Sequence, residues 1–419
     1  MCSTSHFLTP GGLLLLAGLL ISATSWAASE HEEANIRFDS ELKLPALLET
    51  TMERHPYAGV LLAGQSRVEA EITYGKRWFP EVMEVNGFHL SDRQLDDIGA
   101  YENEVALSLP LWLPGEKRAQ TTLGDAVSTA QASRLVEFRW RVSSVLRQQL
   151  WQLMLARRQW ELALEQEERL QDVLEQVTIF TDAGDFSRAD QLATMQELAI
   201  WKSETITLEA DYQDAVREYQ ALTGLRIVPS DISEALSEEQ EIREDHPALQ
   251  VALDQFAEAA ASREVTRQGN SARPSVQVFW RGFRGDRTGP DVNALGLGLA
   301  VPLGRSPRRG PEIARANESL ANAEAKLLAT RRRLDLQLHE ARHLLITTRE
   351  QLVNSNTMVE AASERYRLDK LAYELGEFSV WDWLRRLSEF KKIEQSHELL
   401  LMQQGAAIAS YNQAAGEIL

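Results

Sequence analysis

Two hydrophobic patterns divide this chain of 419 residues. The first has period 2. In Val105-Ala106-Leu107-Ser108-Leu109-Pro110-Leu111-Trp112-Leu113 every odd position is a large aliphatic, and the even ones are mostly small or polar. Leu295-Gly296-Leu297-Gly298-Leu299-Ala300-Val301-Pro302-Leu303 repeats this with only Gly, Ala and Pro between the aliphatics. Such alternation predicts strands with one aliphatic face and one small-residue face. Each has a predicted partner just upstream, giving strand pairs near 81–90 with 103–113 and near 275–284 with 292–303. Pro80 and Pro274 favour the extended start of those partners.

The second pattern is helical and far longer. Residues 116 to about 181 contain no Pro and one Gly, Gly124, and are rich in Ala, Leu, Glu, Gln and Arg. A single helix there reaches roughly 100 Å at 1.5 Å per residue. A turn at Ala183-Gly184-Asp185 leads into a second helix that ends at Gly224, a C-terminal glycine. Further helices are predicted over 43–77, interrupted near Pro56, from about 247, and over 311–374 and 380–415. Helices of this length do not bury themselves in a globular core, and they read as coiled-coil partners.

The two patterns recur because the chain is duplicated. Gly184-Asp185-Phe186-Ser187 returns as Gly376-Glu377-Phe378-Ser379, a shift of 192. At the same shift Asp190 matches Asp382, Tyr219 matches Tyr411, Gly224 matches Gly416, and Leu109-Pro110-Leu111 matches Val301-Pro302-Leu303. His55-Pro56 answers His246-Pro247. So many collinear matches define two copies of one unit of helix, strand, strand, long helix, long helix. The units are 28–230 and 231–419.

Residues 1–27 read as a secretory signal. The apolar run Leu13 to Ile21 precedes Ser25-Trp26-Ala27, with small residues at the −3 and −1 positions of a cleavage site. The one cysteine, Cys2, lies before that run, so the exported chain has no disulfide, thiol chemistry or thiolate metal site. A net charge of −18 argues against a nucleic-acid partner. A mean hydropathy of −0.30 excludes a polytopic helical membrane protein but leaves a β-barrel open. A half-buried soluble sheet accounts for any one of these strands. The uniform aliphatic face and the count of only four strands favour lipid instead. Four strands cannot close a barrel, and open edges are not tolerated in lipid, so several chains would have to pool them. Three chains give an even twelve.

In this order of signal, helix, strand pair and long helical hairpin, all duplicated, the chain resembles the TolC-type outer membrane factors. The markers are His55-Pro56 and His246-Pro247, the passage Leu-Pro-Leu-Trp-Leu-Pro-Gly-Glu-Lys-Arg at 109–118, and the Gly-Asp/Glu-Phe-Ser-x-x-Asp turns at 184–190 and 376–382. The spacing and the 113–118 segment are most similar to the CzcC-like branch, which serves metal-exporting resistance–nodulation–division (RND) pumps. The resemblance implies a mainly α fold with a small β part. It implies a homotrimer in the outer membrane of a Gram-negative bacterium, with a 12-stranded barrel and an α-helical tunnel through the periplasm. Its partners would be a periplasmic adaptor (membrane fusion) protein, an inner-membrane RND pump and outer-membrane lipid. By resemblance to this branch the substrate would be metal cations, leaving with no catalytic residue and no cofactor.

The resemblance also assigns the turns. Gly184, Asp185, Phe186, Ser187, Gly376, Glu377, Phe378 and Ser379 fall at the periplasmic tip that meets the adaptor. Asp190, Asp382 and Tyr373 match positions lining its constriction. A family arginine two residues after the second glycine is replaced by Phe378, which points to a hydrophobic plug. Capping of the following helices accounts for Asp190 and Asp382 equally well. Other residues point less far. His339 and His343, at i and i+4, lack a third ligand and read as a solvated face. Trp78, Trp112 and Trp280 lie near predicted strand ends, suiting an interfacial aromatic belt or packing at the strand–helix junction. Arg305-Ser306-Pro307-Arg308-Arg309 follows the last strand, as a solvated turn or facing inner-leaflet phosphates. A drug-efflux or type I secretion duct of the same fold, or a soluble periplasmic coiled-coil adaptor, remain the alternatives. An adaptor should carry one hairpin rather than two.

Overall fold

A computed structural model describes residues 36–269, 273–304 and 306–419. The signal segment 1–27 and Cys2 lie outside the described residues, as does Arg305. In chain order the elements are β1 (Arg37–Asp39), α1 (Leu44–Arg54), α2 (Ala58–Lys76), β2 (Glu84–Ser91), β3 (Tyr101–Pro110), α3 (Glu116–Asp182), α4 (Arg188–Thr223), β4 (Ile227–Pro229), α5 (Pro247–Gln268), β5 (Ser275–Arg284), β6 (Val292–Ala300), α6 (Arg309–Glu374) and α7 (Val380–Ala415). The fold is mainly α, built on two long helical hairpins, α3–α4 and α6–α7.

The long helices start and stop where local chemistry says they should. Pro247 occupies the first turn of α5, where its missing N–H costs nothing, and His246 Nδ1 accepts from Ala248 N at 3.2 Å. Both α4 and α7 end on a left-handed glycine, Gly224 (φ 69°) and Gly416 (φ 97°). With α3 at 67 residues and α6 at 66, each hairpin's longer arm runs about 100 Å.

The principal core lies at the waist of the molecule. Leu47 and Leu48 of α1 pack with Leu146, Leu150 and Leu153 of α3 and Val216 and Tyr219 of α4, all at most 1 % exposed. The C-terminal Ile418 and Leu419 close over it. Arg147 is the polar hub of this region. Its Nη2 meets Glu234 Oε2 at 2.7 Å, while Nη1 donates to Ser143 Oγ, Gln413 Oε1 and Glu417 O. One buried guanidinium thus ties α3 to the segment after β4 and to the chain's end. His246 is buried against Trp140, and that burial pushes its imidazole down to about 4, so it is neutral at physiological pH.

Two features depart from the sequence-based expectation. Among the described residues the four expected strands are joined by two short ones, β1 and β4, which form a parallel pair with Phe38 opposite Val228. Three residues are too few to show a period of 2, which hid them. The strands of the main sheet are also shorter at the helix-facing end than predicted. Leu111–Leu113 and Val301–Leu303 lie beyond β3 and β6, continuing the aliphatic pattern as extended linkers.

Candidate functional site

Two places carry the chemistry, one at each end of the hairpins. At one end β2, β3, β5 and β6 form a single sheet in that order, antiparallel at every step. Its register aligns Val85, Leu107, Val278 and Leu297 in one cross-strand row, and Val105, Trp280 and Leu295 in the next. Leu295, Leu297 and Leu299 are 82, 79 and 69 % exposed. A face this apolar and this bare is not what a protein shows to water. The opposite face is mixed: Glu104, Ala106, Ser108 and Gln277 share it with Phe88, Leu90, Phe279 and Phe283. There Arg281 bridges Glu104 at 2.6 Å and Glu102 at 3.1 Å. Gly296 faces the Phe279 ring so closely that a Cβ would overlap it. At the far rim the two loops are tied by Arg287, which meets Asp97 at 2.6 Å and donates its backbone N–H to Ile98 O.

Trp280 does not sit near a strand end, as the sequence suggested. It stands in the middle of β5, on the aliphatic face, because positions 276, 278 and 280 share that face. Trp112 packs at the strand–helix junction, its Nε1 donating to Arg77 O at 3.2 Å beside Tyr74. Trp78 is 87 % exposed.

The other end holds the two hairpin turns. Gly184 (φ 87°) and Gly376 (φ 79°) both take the left-handed conformation. Behind each, the next residue's N–H returns to the carbonyl five residues back, Asp185 to Phe180 and Glu377 to Ala372, both at 2.9 Å. This satisfies carbonyls that the helix end would leave orphaned. Ser187 and Ser379 then cap the following helices, their Oγ accepting from Asp190 N and Asp382 N. Asp190 Oδ2 reaches back to Ser187 N at 3.2 Å, completing a capping box. Asp382 Oδ2 accepts only from Ser379 Oγ, at 2.7 Å. Asp190 therefore acts as a cap in the chain itself, whereas Asp382 only holds the capping Ser379 hydroxyl.

Beneath the turns the hairpins diverge. Phe186 packs on Phe180, with ring centres 5.0 Å apart. Phe378 instead lies under the Arg386 guanidinium, 4.2 Å from its ring centre, and Arg386 Nη1 meets Asp369 at 2.7 Å. Tyr373 stacks on Trp383 (5.3 Å, 6°), Trp383 on Tyr366, and Tyr366 on Phe390 (4.6 Å). Sequence reasoning missed Tyr366, Asp369, Trp383, Arg386 and Phe390. Tyr366 and Tyr373 are seven residues apart, as are Trp383 and Phe390, so the heptad spacing of aromatics on both arms was the available signal. A cavity of about 290 Å³ separates the hairpins near the tips, between Leu170, Val173 and Thr194 on one side and Trp381 and Leu384 on the other. His339 and His343 lie exposed on α6, away from both ends.

No protein-family model and no curated protein sequence matches this chain. Solved structures do. The chain is similar to a membrane protein from Pseudomonas aeruginosa (TM-score 0.69, 15 % identity, 92 % of this chain and 95 % of that one). It is similar to the outer membrane protein VceC from Vibrio cholerae (0.69, 13 %, 89 % and 95 %) and to the CmeC outer membrane channel of Campylobacter jejuni (0.65, 14 %, 98 % and 94 %). The fold of these proteins, over nearly their whole length, is the fold described here.

Proposed function

We propose that this protein is the outer-membrane exit duct of a tripartite efflux system. The observation that carries the reading is the four-stranded sheet, open at both edges and aliphatic over the helix-facing part of one face, mounted on one end of two hairpins about 100 Å long. Strands β2 and β6 run antiparallel to each other, since three antiparallel steps separate them. Joining β6 of one copy to β2 of the next therefore keeps the alternation, and three copies of a four-stranded sheet close a 12-stranded barrel with no free edge. In that trimer Leu107, Val278 and Leu297 meet lipid, while Glu102, Glu104 and Arg281 line the lumen. The hairpins form a tunnel into the periplasm of a Gram-negative bacterium, and the two repeats, 28–230 and 231–419, supply equivalent walls. Substrate passes without chemistry.

The turns are the docking end. In this reading Gly184 to Ser187 and Gly376 to Ser379 meet a periplasmic adaptor that links the duct to an inner-membrane RND pump. Threefold symmetry turns Asp190 and Asp382 into carboxylate rings, and acidic rings favour cations. Tyr373 and Phe378 add an apolar constriction. The cargo of this reading is metal cations, as in the CzcC-like branch.

Fractionation and reconstitution test the duct. The protein should sediment with outer membranes, resist extraction as a trimer, and give ion conductance in planar bilayers. Recovery as a soluble monomer would sink it. Deleting the gene should lower tolerance to divalent metals; unchanged metal tolerance with increased drug sensitivity would reassign the cargo.

A further inference from the structure

We infer that the collar where the sheet meets the helices binds the headgroups of anionic phospholipids in the periplasmic leaflet, through Lys76, Arg77, Lys117, Arg118 and Arg308. The inference rests on the reading of the sheet as membrane-spanning.

Three chain passages supply these cations: α2 to β2, β3 to α3, and β6 to α6. They are one surface. Trp112 Nε1 bonds Arg77 O, Arg273 Nη1 bonds Glu116 at 2.6 Å beside the end of α5, and Arg309 Nη1 bonds Gly269 O at 3.1 Å. All five cationic side chains are exposed, and among the described residues none makes an ion pair. Other exposed cations, Arg332 and Arg333 among them, also make no ion pair, so what sets these five apart is their place together at the rim of the sheet. Two of the collar's carboxylates, Glu81 and Glu116, are taken by Arg273, and Glu312 stands in the first turn of α6.

Placement adds a second argument. Lys117 and Arg118 lie in the first turn of α3, and Arg308 immediately precedes α6. The positive end of a helix dipole disfavours cations at those positions. Each start also carries one acid, Glu116 or Glu312, yet the cations outnumber it on this surface, which points to an external anion. The anion's source follows from the neighbours. The aliphatic band continues straight into the collar through Val301 and Leu303, the latter 97 % exposed, while Val82 (76 %) and Trp78 (87 %) stand beside the cations. Lysine and arginine with a bare tryptophan, bordering an apolar belt, is the chemistry of a bilayer interface, and the phosphate it meets there is a lipid's.

The test uses the full-length protein reconstituted in vesicles of phosphatidylcholine and phosphatidylglycerol, with the lipid retained on the extracted trimer counted by native mass spectrometry. The unmodified protein should retain phosphatidylglycerol about threefold above its share in the vesicle. Salt of about 0.5 M should erase that enrichment, since the sites are exposed. A variant carrying Lys76→Gln, Arg77→Gln, Lys117→Gln, Arg118→Gln and Arg308→Gln should retain lipid at the vesicle ratio. Arg332→Gln with Arg333→Gln, which removes two exposed cations farther along α6, should behave as the unmodified protein. Insertion without enrichment, or enrichment unchanged by the five substitutions, overturns the collar and leaves the duct standing. Failure of the unmodified protein to insert in any vesicle overturns both. Should the five-fold variant not fold, the salt series on the unmodified protein decides: enrichment that survives high salt overturns the inference.

Discussion

The two hairpin turns share a backbone and differ in what lies beneath it. At equivalent positions, Val177 answers Asp369, Gln191 answers Trp383, Thr194 answers Arg386 and Leu198 answers Phe390. The first hairpin is closed by small and aliphatic side chains that are almost fully buried: Val177 and Thr194 are 1 % exposed. The second holds a partly buried ion pair and a four-ring stack, with a cavity of about 260 Å³ beside Tyr366, Asp369 and Arg386. A duplicated unit has thus kept the turn, which backbone geometry dictates, and changed the interior, which it does not. An aliphatic interior tolerates small displacements smoothly. A paired charge and stacked rings hold one geometry and lose much when it is left.

The largest break in this comparison should come from Trp383→Ala. It removes the ring between Tyr373 and Tyr366, and local opening of the second hairpin should become easier by about 3 kcal/mol. Gln191→Ala at the matching site loses two hydrogen bonds, one donated to Thr178 Oγ1 and one accepted from Arg188 Nη1, and should cost about 1.5 kcal/mol. Hydrogen exchange over 366–390 and 174–198 reads both; equal effects would mean that the aromatic stack does not hold the second hairpin. Next comes Arg386→Ala. Asp369, 10 % exposed, would keep only Arg365 at 3.4 Å, and about 2 kcal/mol should be lost. Thr194→Val should cost about 1 kcal/mol, for the lost bond to Asp190 O. A double change, Arg386→Thr with Asp369→Val, copies the first hairpin's pair into the second and should recover most of the loss. No recovery would show that the cost lies in the uncovered Phe378 ring rather than in the unpaired charge.

How much of this was legible in the sequence follows the same division. Features set by local backbone chemistry could be read directly: Gly184 and Gly376 at the turns, Gly224 and Gly416 at the helix ends, and the odd-position aliphatics of β3 and β6. The duplication made each reading twice as firm. Side-chain pairs set by how two helices face each other could not be read that way. Asp369 and Arg386 are 17 residues apart on opposite arms, and only the register of α6 against α7 brings them together. Arg147 is the extreme case, with partners 87 and 266 residues away. Trp280 shows the converse error. The bounds expected for that strand, 275–284, are those of β5, so position 280 was already its middle, and only the assignment of the ring to a strand end was wrong.

The smallest effects sharpen the comparison where the hairpins are most alike. Gly184→Ala and Gly376→Ala each force a Cβ into the left-handed region, with open space around it, so the cost of about 1 kcal/mol should be purely conformational and the same in both. A difference between them would mean that the interiors reach the turn after all. The caps should differ slightly. Ser187→Ala removes one half of a two-way capping box and also frees Asp190 to leave the Ser187 N–H unmet, at about 1 kcal/mol. Ser379→Ala takes away a cap whose aspartate never reached back to the backbone, so its cost should be lower by a few tenths. Exchange rates at the first turns of α4 and α7 measure that gap. If Ser379→Ala proves the costlier, the returning carboxylate contributes nothing, and the asymmetry between the hairpins begins beneath the caps and not at them.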